Sequence, residues 1–276
     1  MIFPEVRSLY KYTSFSKHFL SNIKNNSLYF SKPENFNDPI DCGIQLQKHI
    51  SSDVVLEDLK KSNRKFLSIL KNKNLNNSTR NYFSILSNEN SILLEKIKNG
   101  EFKDSWHHTS PNIDYLEKSI KSKGILCLSE NNDNMLMWAH YANNHKGLCI
   151  GIKREKNTRL SNNNFTLPVR YTQRLPLIST IEYTDGDEKY KREILRTLIY
   201  SKSIDWAYER EWRSVIDAGN KVHSIGGRIF EIIFGLNTPS RTRSQIRNYI
   251  SRNNLNIKLR KSIIKNESFS IAIIDD

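Results

Sequence analysis

Along this chain the apolar positions change period several times, and each change marks an element. Ser8–Ser14 (SLYKYTS) holds Leu9, Tyr10 and Tyr12 in a β-forming run and predicts a strand. Ser14 or Ser16 then reads as the cap of a helix reaching about Asn26, with Phe15, Phe19, Leu20 and Ile23 on its apolar stripe. Ser27–Ser31 (SLYFS) predicts a second strand. It runs into Lys32–Asp41, where two prolines and several Asn and Asp residues predict a rigid, turn-rich loop.

From about Asp53 to Lys123 the spacing turns helical. Val54, Val55, Leu59, Phe66, Ile69 and Leu70 recur near every third or fourth position, and so do Ile85, Leu86, Ile92, Leu93 and Ile97. An Asn-rich break at Asn72–Ser78 and Gly100 punctuate the run, which reads as a helical insertion or cap over residues 53–123. Its basic face, Lys60, Lys61, Arg64 and Lys65, suits plain solvation. Gly124–Glu130 predicts a central strand, Asn131–Asn134 cap a helix over Met135–Asn143, and Leu148–Ile152 predicts another apolar strand. Phe165–Tyr171 reads as a strand, and Asp185–Ser203 as a helix with Ile194, Leu195, Leu198 and Ile199 inward. Arg228–Phe234 is a strong strand signal. Ser240 reads as the cap of a basic helix bearing Arg241, Arg243, Arg247 and Arg252, and Leu255–Ile264 and Phe269–Ile274 close the chain as strands. With no internal repeat and no clear linker, the pattern predicts a single α+β domain over residues 1–276, with a mixed or antiparallel β core.

Composition narrows the classes. The 276 residues are 37% hydrophobic and 26% charged, which describes a globular chain, and no run of about eighteen apolar residues predicts a membrane span. The opening Met1–Glu5 has neither the basic nor the apolar region of a signal peptide. Three scattered cysteines, Cys42, Cys127 and Cys149, predict reduced thiols and a cytosolic setting. The formal charge of +14 makes a polyanion, nucleic acid first, a candidate partner. His140 and His145 stand five apart, not the four that pairs metal ligands on one helix face, so no metal site is expected. Phosphate-loop, dinucleotide-binding, serine-hydrolase and zinc-protease motifs are absent.

The stretch richest in chemistry is Trp206–Arg213 (WAYEREWR). Read as one extended strand, it sends Glu209 and Glu211 to one face, walled by Trp206, Tyr208 and Trp212, with Arg210 and Arg213 opposite. Two carboxylates walled by aromatic rings form a setting for a desolvated, steered acid. Asn37 and Asp38 in the turn-rich loop, together with Arg213, are candidate substrate contacts.

Four blocks resemble the DUF2971 family of bacterial and phage proteins: LYKYTS; LYFSKP followed by FNDPID; CLSENNDNMLMWAHYANNHKGLCI; and WAYEREWR. More distantly, the chain is similar to ADP-ribosyltransferase-like folds. Lys11-Tyr12-Thr13 stands where that fold carries its first motif, Leu126–Glu130 with Tyr141 looks like its second, and Glu209-Arg210-Glu211 resembles the E-x-E of its arginine-type branch. Lys11 replaces the usual His or Arg. The resemblance implies NAD as the glycosyl donor, with Glu211 stabilising the oxocarbenium-like transition state and Glu209 orienting the acceptor. It also implies that Trp138 or Tyr141 stacks on nicotinamide, and that Lys11, Tyr12, Thr13 and Ser129 contact the cofactor. A nucleic acid or protein acceptor, and a role as a toxin or in phage–host conflict, would follow. The rival readings are a nucleic-acid-binding module, in which Tyr10, Tyr12, Tyr29 and Trp212 stack on bases, and a metal-dependent nuclease.

Overall fold

In a computed structural model of the chain, the structure describes residues 3, 5–43, 45–46, 52–73, 77–101, 111–178, 183 and 186–276. Residues 74–76 of the expected Asn-rich break, 102–110 of the expected insertion, Asp185, and Met1, Ile2 and Pro4 of the opening lie outside the described residues. In chain order the elements are β1 (Ser8–Thr13), α1 (Phe19–Lys24), β2 (Ser27–Phe30), β3 (Gln45–Leu46), α2 (Ser52–Leu70), α3 (Asn77–Lys98), α4 (Pro111–Ser122), β4 (Gly124–Ser129), α5 (Met135–Tyr141) and β5 (Leu148–Lys153). There follow β6 (Thr166–Pro168), β7 (Arg170–Thr172), β8 (Leu177–Ile178), α6 (Glu188–Ile199), β9 (Ser201–Ser203), β10 (Glu211–Ile216), β11 (Lys221–Ser224), β12 (Arg228–Phe234), α7 (Ser240–Arg252), β13 (Lys258–Ile264) and β14 (Ile271–Asp275).

The chain divides into two compact units. One comprises Met1–Ile44, Leu116–Pro176 and Leu195–Asp276, and carries an eight-stranded mixed sheet in the order β14-β13-β12-β5-β1-β4-β10-β6. All neighbours are antiparallel except β12 and β13. The other comprises Gln45–Tyr115 and Leu177–Ile194. There α2 and α3 pack through Phe66 and Phe83, whose rings lie 5.7 Å apart, and Ser87 donates to Asn63 across the pair at 2.6 Å. The short β3 and β8 pair in parallel. Among the described residues no helix is long and apolar enough to cross a membrane.

Strand alternation fixes what each face of the large sheet carries. Leu9, Leu126, Leu128, Ile150, Trp212 and Ile232 enter one core, which α1 and α7 cover with Phe19, Ile23, Ile246 and Ile250. The opposite face receives Tyr12, Cys149, Ile233 and Ile271, covered by Met137 and Trp138 of α5. Asn134 caps α5, its side chain accepting from the amides of Leu136 and Met137.

Some boundaries differ from the sequence pattern, each for a local reason. Neither Ser14 nor Ser16 caps α1, which begins at Phe19 after His18 and makes no side-chain capping bond. Ser240 is the first residue of α7 and likewise makes no capping bond. The expected strand over Phe165–Tyr171 breaks after Pro168, which has no amide to donate. Its first half joins the large sheet beside β10, and its second half pairs with β9. The helix expected to reach Ser203 stops at Ile199, and Ser201–Ser203 becomes β9.

The turn after α5 leaves no room for a side chain at Gly147, where a Cβ would lie 2.3 Å from the Thr13 carbonyl oxygen and 2.8 Å from that of Ala142. Gly147→Ala is therefore expected to lower stability by about 2 kcal/mol and the melting temperature by about 5 °C, read by circular dichroism. An unchanged melting curve would contradict this packing.

Candidate functional site

The sheet parts between β1 and β4. The two strands are joined at the single antiparallel pair Tyr10↔Ser129, while β1 keeps a six-pair ladder with β5 on its other edge. Beyond Tyr10 the strands separate, and a cleft of about 500 Å³ opens there. Tyr10, Lys11 and Tyr12 of β1 line one side, and Ile125, Cys127 and Leu128 of β4 the other. Phe36 and Asn37 from the turn-rich loop, Met137, His140 and Tyr141 from α5, and Asp41, Lys202, Glu209 and Glu211 complete the wall.

The stretch Trp206–Arg213 is not one strand. Ile204–Glu209 forms a 3₁₀ turn, Arg210 takes a left-handed conformation (φ 43°, ψ 52°), and the strand begins at Glu211. From there, period two sets Glu211 and Arg213 on one face and Trp212 on the other. This corrects the expected faces: Arg213 reaches Glu211 with Nε–Oε1 at 2.8 Å, and Trp212 is 1% exposed in the opposite core, donating to Glu130 at 2.8 Å. Glu209 joins Glu211 through the kink at Arg210, not through strand alternation. Ser129 holds the kink, its hydroxyl donating to the Glu209 carbonyl at 2.6 Å, and Asn134 Nδ2 donates to the Tyr208 carbonyl at 2.9 Å.

Around the two glutamates stands a buried ionic cluster. Lys202 Nζ lies 2.5 Å from Glu209, 3.1 Å from Glu211 and 3.8 Å from Asp41. Arg213, completely buried, donates through Nε and Nη2 to both oxygens of Glu211, through Nη2 to Asp41 at 2.6 Å, and through Nη1 to the Ile199 carbonyl. Tyr141 donates to Glu209 Oε1 at 2.6 Å, and Tyr171 accepts from the Glu211 amide at 2.7 Å. Three carboxylates thus share two cations.

That imbalance separates the two glutamates. Burial alone would raise the Glu211 carboxyl, but Arg213 and then Lys202 hold it down to about 2. Glu209 moves the other way: burial raises it and the Glu211 charge adds to the rise, against the pull of Lys202 and the Tyr141 hydroxyl. Lys202 itself is held firmly protonated, since Glu211 and Glu209 outweigh its burial, so it serves as a fixed cation and not as a base. Glu209, the carboxyl that burial raises, lines the cleft together with Glu211.

The expected site residues separate by place. Lys11, Tyr12, Asn37, Tyr141, Glu209 and Glu211 line the cleft. The Tyr12 hydroxyl donates to the Asn131 carbonyl at 3.0 Å, leaving its ring as wall. Trp138 is fully buried, packed edge-on to Tyr12 and donating to the Asn132 carbonyl, so it supports α5 and stacks on no ligand. Ser129 is spent on the Glu209 carbonyl and the Asn131 amide, and the Thr13 hydroxyl donates to the Ser14 carbonyl. Asp38 accepts from Trp206 Nε1 at 3.0 Å and lines a neighbouring cavity of about 220 Å³. Arg213 is a buried anchor. Sequence reasoning missed Lys202, hidden at the end of an expected helix. It also missed Asp41, which the quoted FNDPID block contains but which read as a turn residue. Among the described residues no group of three His, Cys, Asp or Glu is placed to hold a metal ion. On α7, Arg243 bonds the carbonyls of Thr238 and Gly235 and Arg247 pairs with Asp276, so half of the basic helix is engaged within the fold.

The family model DUF2971, described as a protein of unknown function, matches residues 137–214 and supports the family resemblance of the sequence. The matched span runs from α5 to β10 and holds Tyr141, Lys202, Glu209, Glu211 and Arg213. No curated protein and no solved structure matches the chain.

The depressed Glu211 carboxyl carries a stability consequence. A group lowered in the folded state stabilises above its unfolded value, near 4.5, and that contribution fades as pH falls toward 2. Glu211→Gln should cost on the order of 3 kcal/mol at neutral pH, with the deficit shrinking below about pH 4.5. Urea unfolding across pH measures it; a deficit constant with pH would contradict the assignment.

Proposed function

We propose, for a chain carrying the DUF2971 pattern over residues 137–214, that the cleft is the active site of an ADP-ribosyltransferase-like enzyme with NAD as donor substrate. One observation carries the reading: Glu209, a buried carboxylate on the cleft wall, oriented by Tyr141 on one oxygen and Lys202 on the other.

Cleavage of an N-glycosidic bond calls for such a group. The bond from ribose C1′ to the nicotinamide nitrogen breaks, its electron pair goes to that nitrogen, and positive charge develops on C1′ and the ring oxygen. A fixed carboxylate beside that carbon stabilises the charge as it forms. The acceptor then bonds to C1′, and its proton passes to a Glu209 oxygen. The resemblance assigned the electrostatic role to Glu211. Both oxygens of each glutamate are engaged, those of Glu211 by Arg213 and those of Glu209 by Tyr141 and Lys202. Only the Glu209 carboxyl is raised and so better able to take up the acceptor's proton, which favours the exchange of roles: Glu209 works at the reacting carbon, and Glu211 remains ionised behind it. Tyr10, Phe36 and Tyr141 offer ring faces to the bases, and Lys11 offers an ammonium to the pyrophosphate. The volume lies within the range of ligand-binding clefts. The net charge of +14 favours a nucleic acid as acceptor, with a protein the alternative, and a role as a toxin or in phage–host conflict fits such chemistry.

Nicotinamide release from NAD by the purified protein, with and without cellular RNA or DNA, tests the reading. Wild type is expected to release nicotinamide, Glu209→Gln to lose at least about 100-fold, and Tyr141→Phe to lose about 10-fold. No release, with no thermal shift at millimolar NAD, would refute it.

A further inference from the structure

Lys202 is the member of the cluster that no sequence motif points to, and its surroundings define its work. It sits on β9, which pairs in parallel with β7, and it is 8% exposed. Its ammonium lies 4.9 Å from the centre of the Trp206 ring, which covers it. Glu211 and Asp41 each have Arg213 as a second cation, whereas the cation that meets Glu209 is Lys202. The other groups facing Glu209 are the hydroxyl of Tyr141 from α5, the Glu211 carboxylate from β10, and, at longer range, Tyr208 from its own turn and Tyr171 from β7. Asp41, from the turn-rich loop, acts on Glu209 through Lys202.

We infer that Lys202 is a positioning residue, whose ammonium fixes the Glu209 carboxylate against the cleft and keeps it ionised at neutral pH. The inference rests on the reading of Glu209 as the working carboxylate. Without Lys202, three carboxylates would share one cation, and Glu209, the member already raised by burial, takes up the proton. A glutamic acid offers no negative charge to a developing cation, so the acidic limb of activity follows the Glu209 midpoint.

Carbon-detected NMR of labelled glutamate carboxyls, assigned through Glu209→Gln, reads that midpoint without any substrate. Lys202→Met is expected to raise it by about one pH unit or more, while Lys202→Arg keeps it near the wild-type value. The acidic limb of nicotinamide release should move by the same amount, with activity recovering at higher pH. If Lys202→Met does not fold, Asp41→Asn tests the same coupling with the opposite sign, because removing a carboxylate lowers the midpoint. A folded Lys202→Met protein with an unmoved midpoint would overturn the inference, as would a loss of activity equal at every pH. A shifted midpoint in a protein that releases no nicotinamide would uphold the role of Lys202 and reject NAD as the substrate.

Discussion

Three carboxylates and two cations share one buried wall of the cleft, and their pairing is the constraint on which this structure depends. Charges removed from water are costly unless they find partners of good geometry, and losing one partner leaves the other exposed to the full penalty. Here Asp41 comes from far along the chain, and the other members from residues 202–213. Asp41 follows the turn-rich loop, Lys202 lies on β9, Glu209 ends a 3₁₀ turn, and Glu211 and Arg213 begin β10. The pairs of Asp41 with Arg213 and Lys202 join the loop to β10 and β9, and that of Lys202 with Glu209 joins β9 to the 3₁₀ turn. The bonds of Arg213 to Asp41 and the Ile199 carbonyl bind the loop and the end of α6 to the sheet, while its bidentate bond to Glu211 lies within β10.

The cleft exists because the sheet yields at one place. β1 is held along its full length by β5 but meets β4 at one residue pair, so the sheet remains continuous while opening between Lys11 and Cys127. One face of the same strands carries Leu9, Leu126 and Trp212 into an apolar core, which keeps the strands in place, while the other face carries the ionic cluster beside the smaller core around Tyr12 and Trp138. The cluster closes that side of the cleft, and within it burial raises the Glu209 carboxyl while Arg213 and Lys202 hold Glu211 down.

Much of the fold was legible from hydrophobic period. β1, β4, β5 and β12 and the helices α2, α3 and α5 lie where alternation and helical spacing put them, although Ile85 and Ile92 of the expected stripe on α3 are exposed. The misreadings share a cause. Pro168, Arg210 and Ile199 end or turn elements through backbone geometry and hydrogen-bond supply, which period does not encode. The site was half legible. Glu209, Glu211 and Tyr141 were visible as chemistry-bearing residues, and the quoted blocks contained Asp41. Lys202 stood among 43 lysines and arginines, and what distinguishes it is burial among carboxylates, a tertiary fact. Trp138 shows the converse: an aromatic residue inside a promising block proved to be core.

The most direct measurement is amide chemical-shift mapping of the labelled protein during a titration with NAD. Saturable shifts are expected on β1 from Tyr10 to Tyr12, on β4 from Ile125 to Leu128, on α5 near Tyr141, and over Lys202–Glu211. Shifts gathered elsewhere, or none at millimolar NAD, would contradict the claim that the parting of the sheet at this ionic cluster is the ligand site.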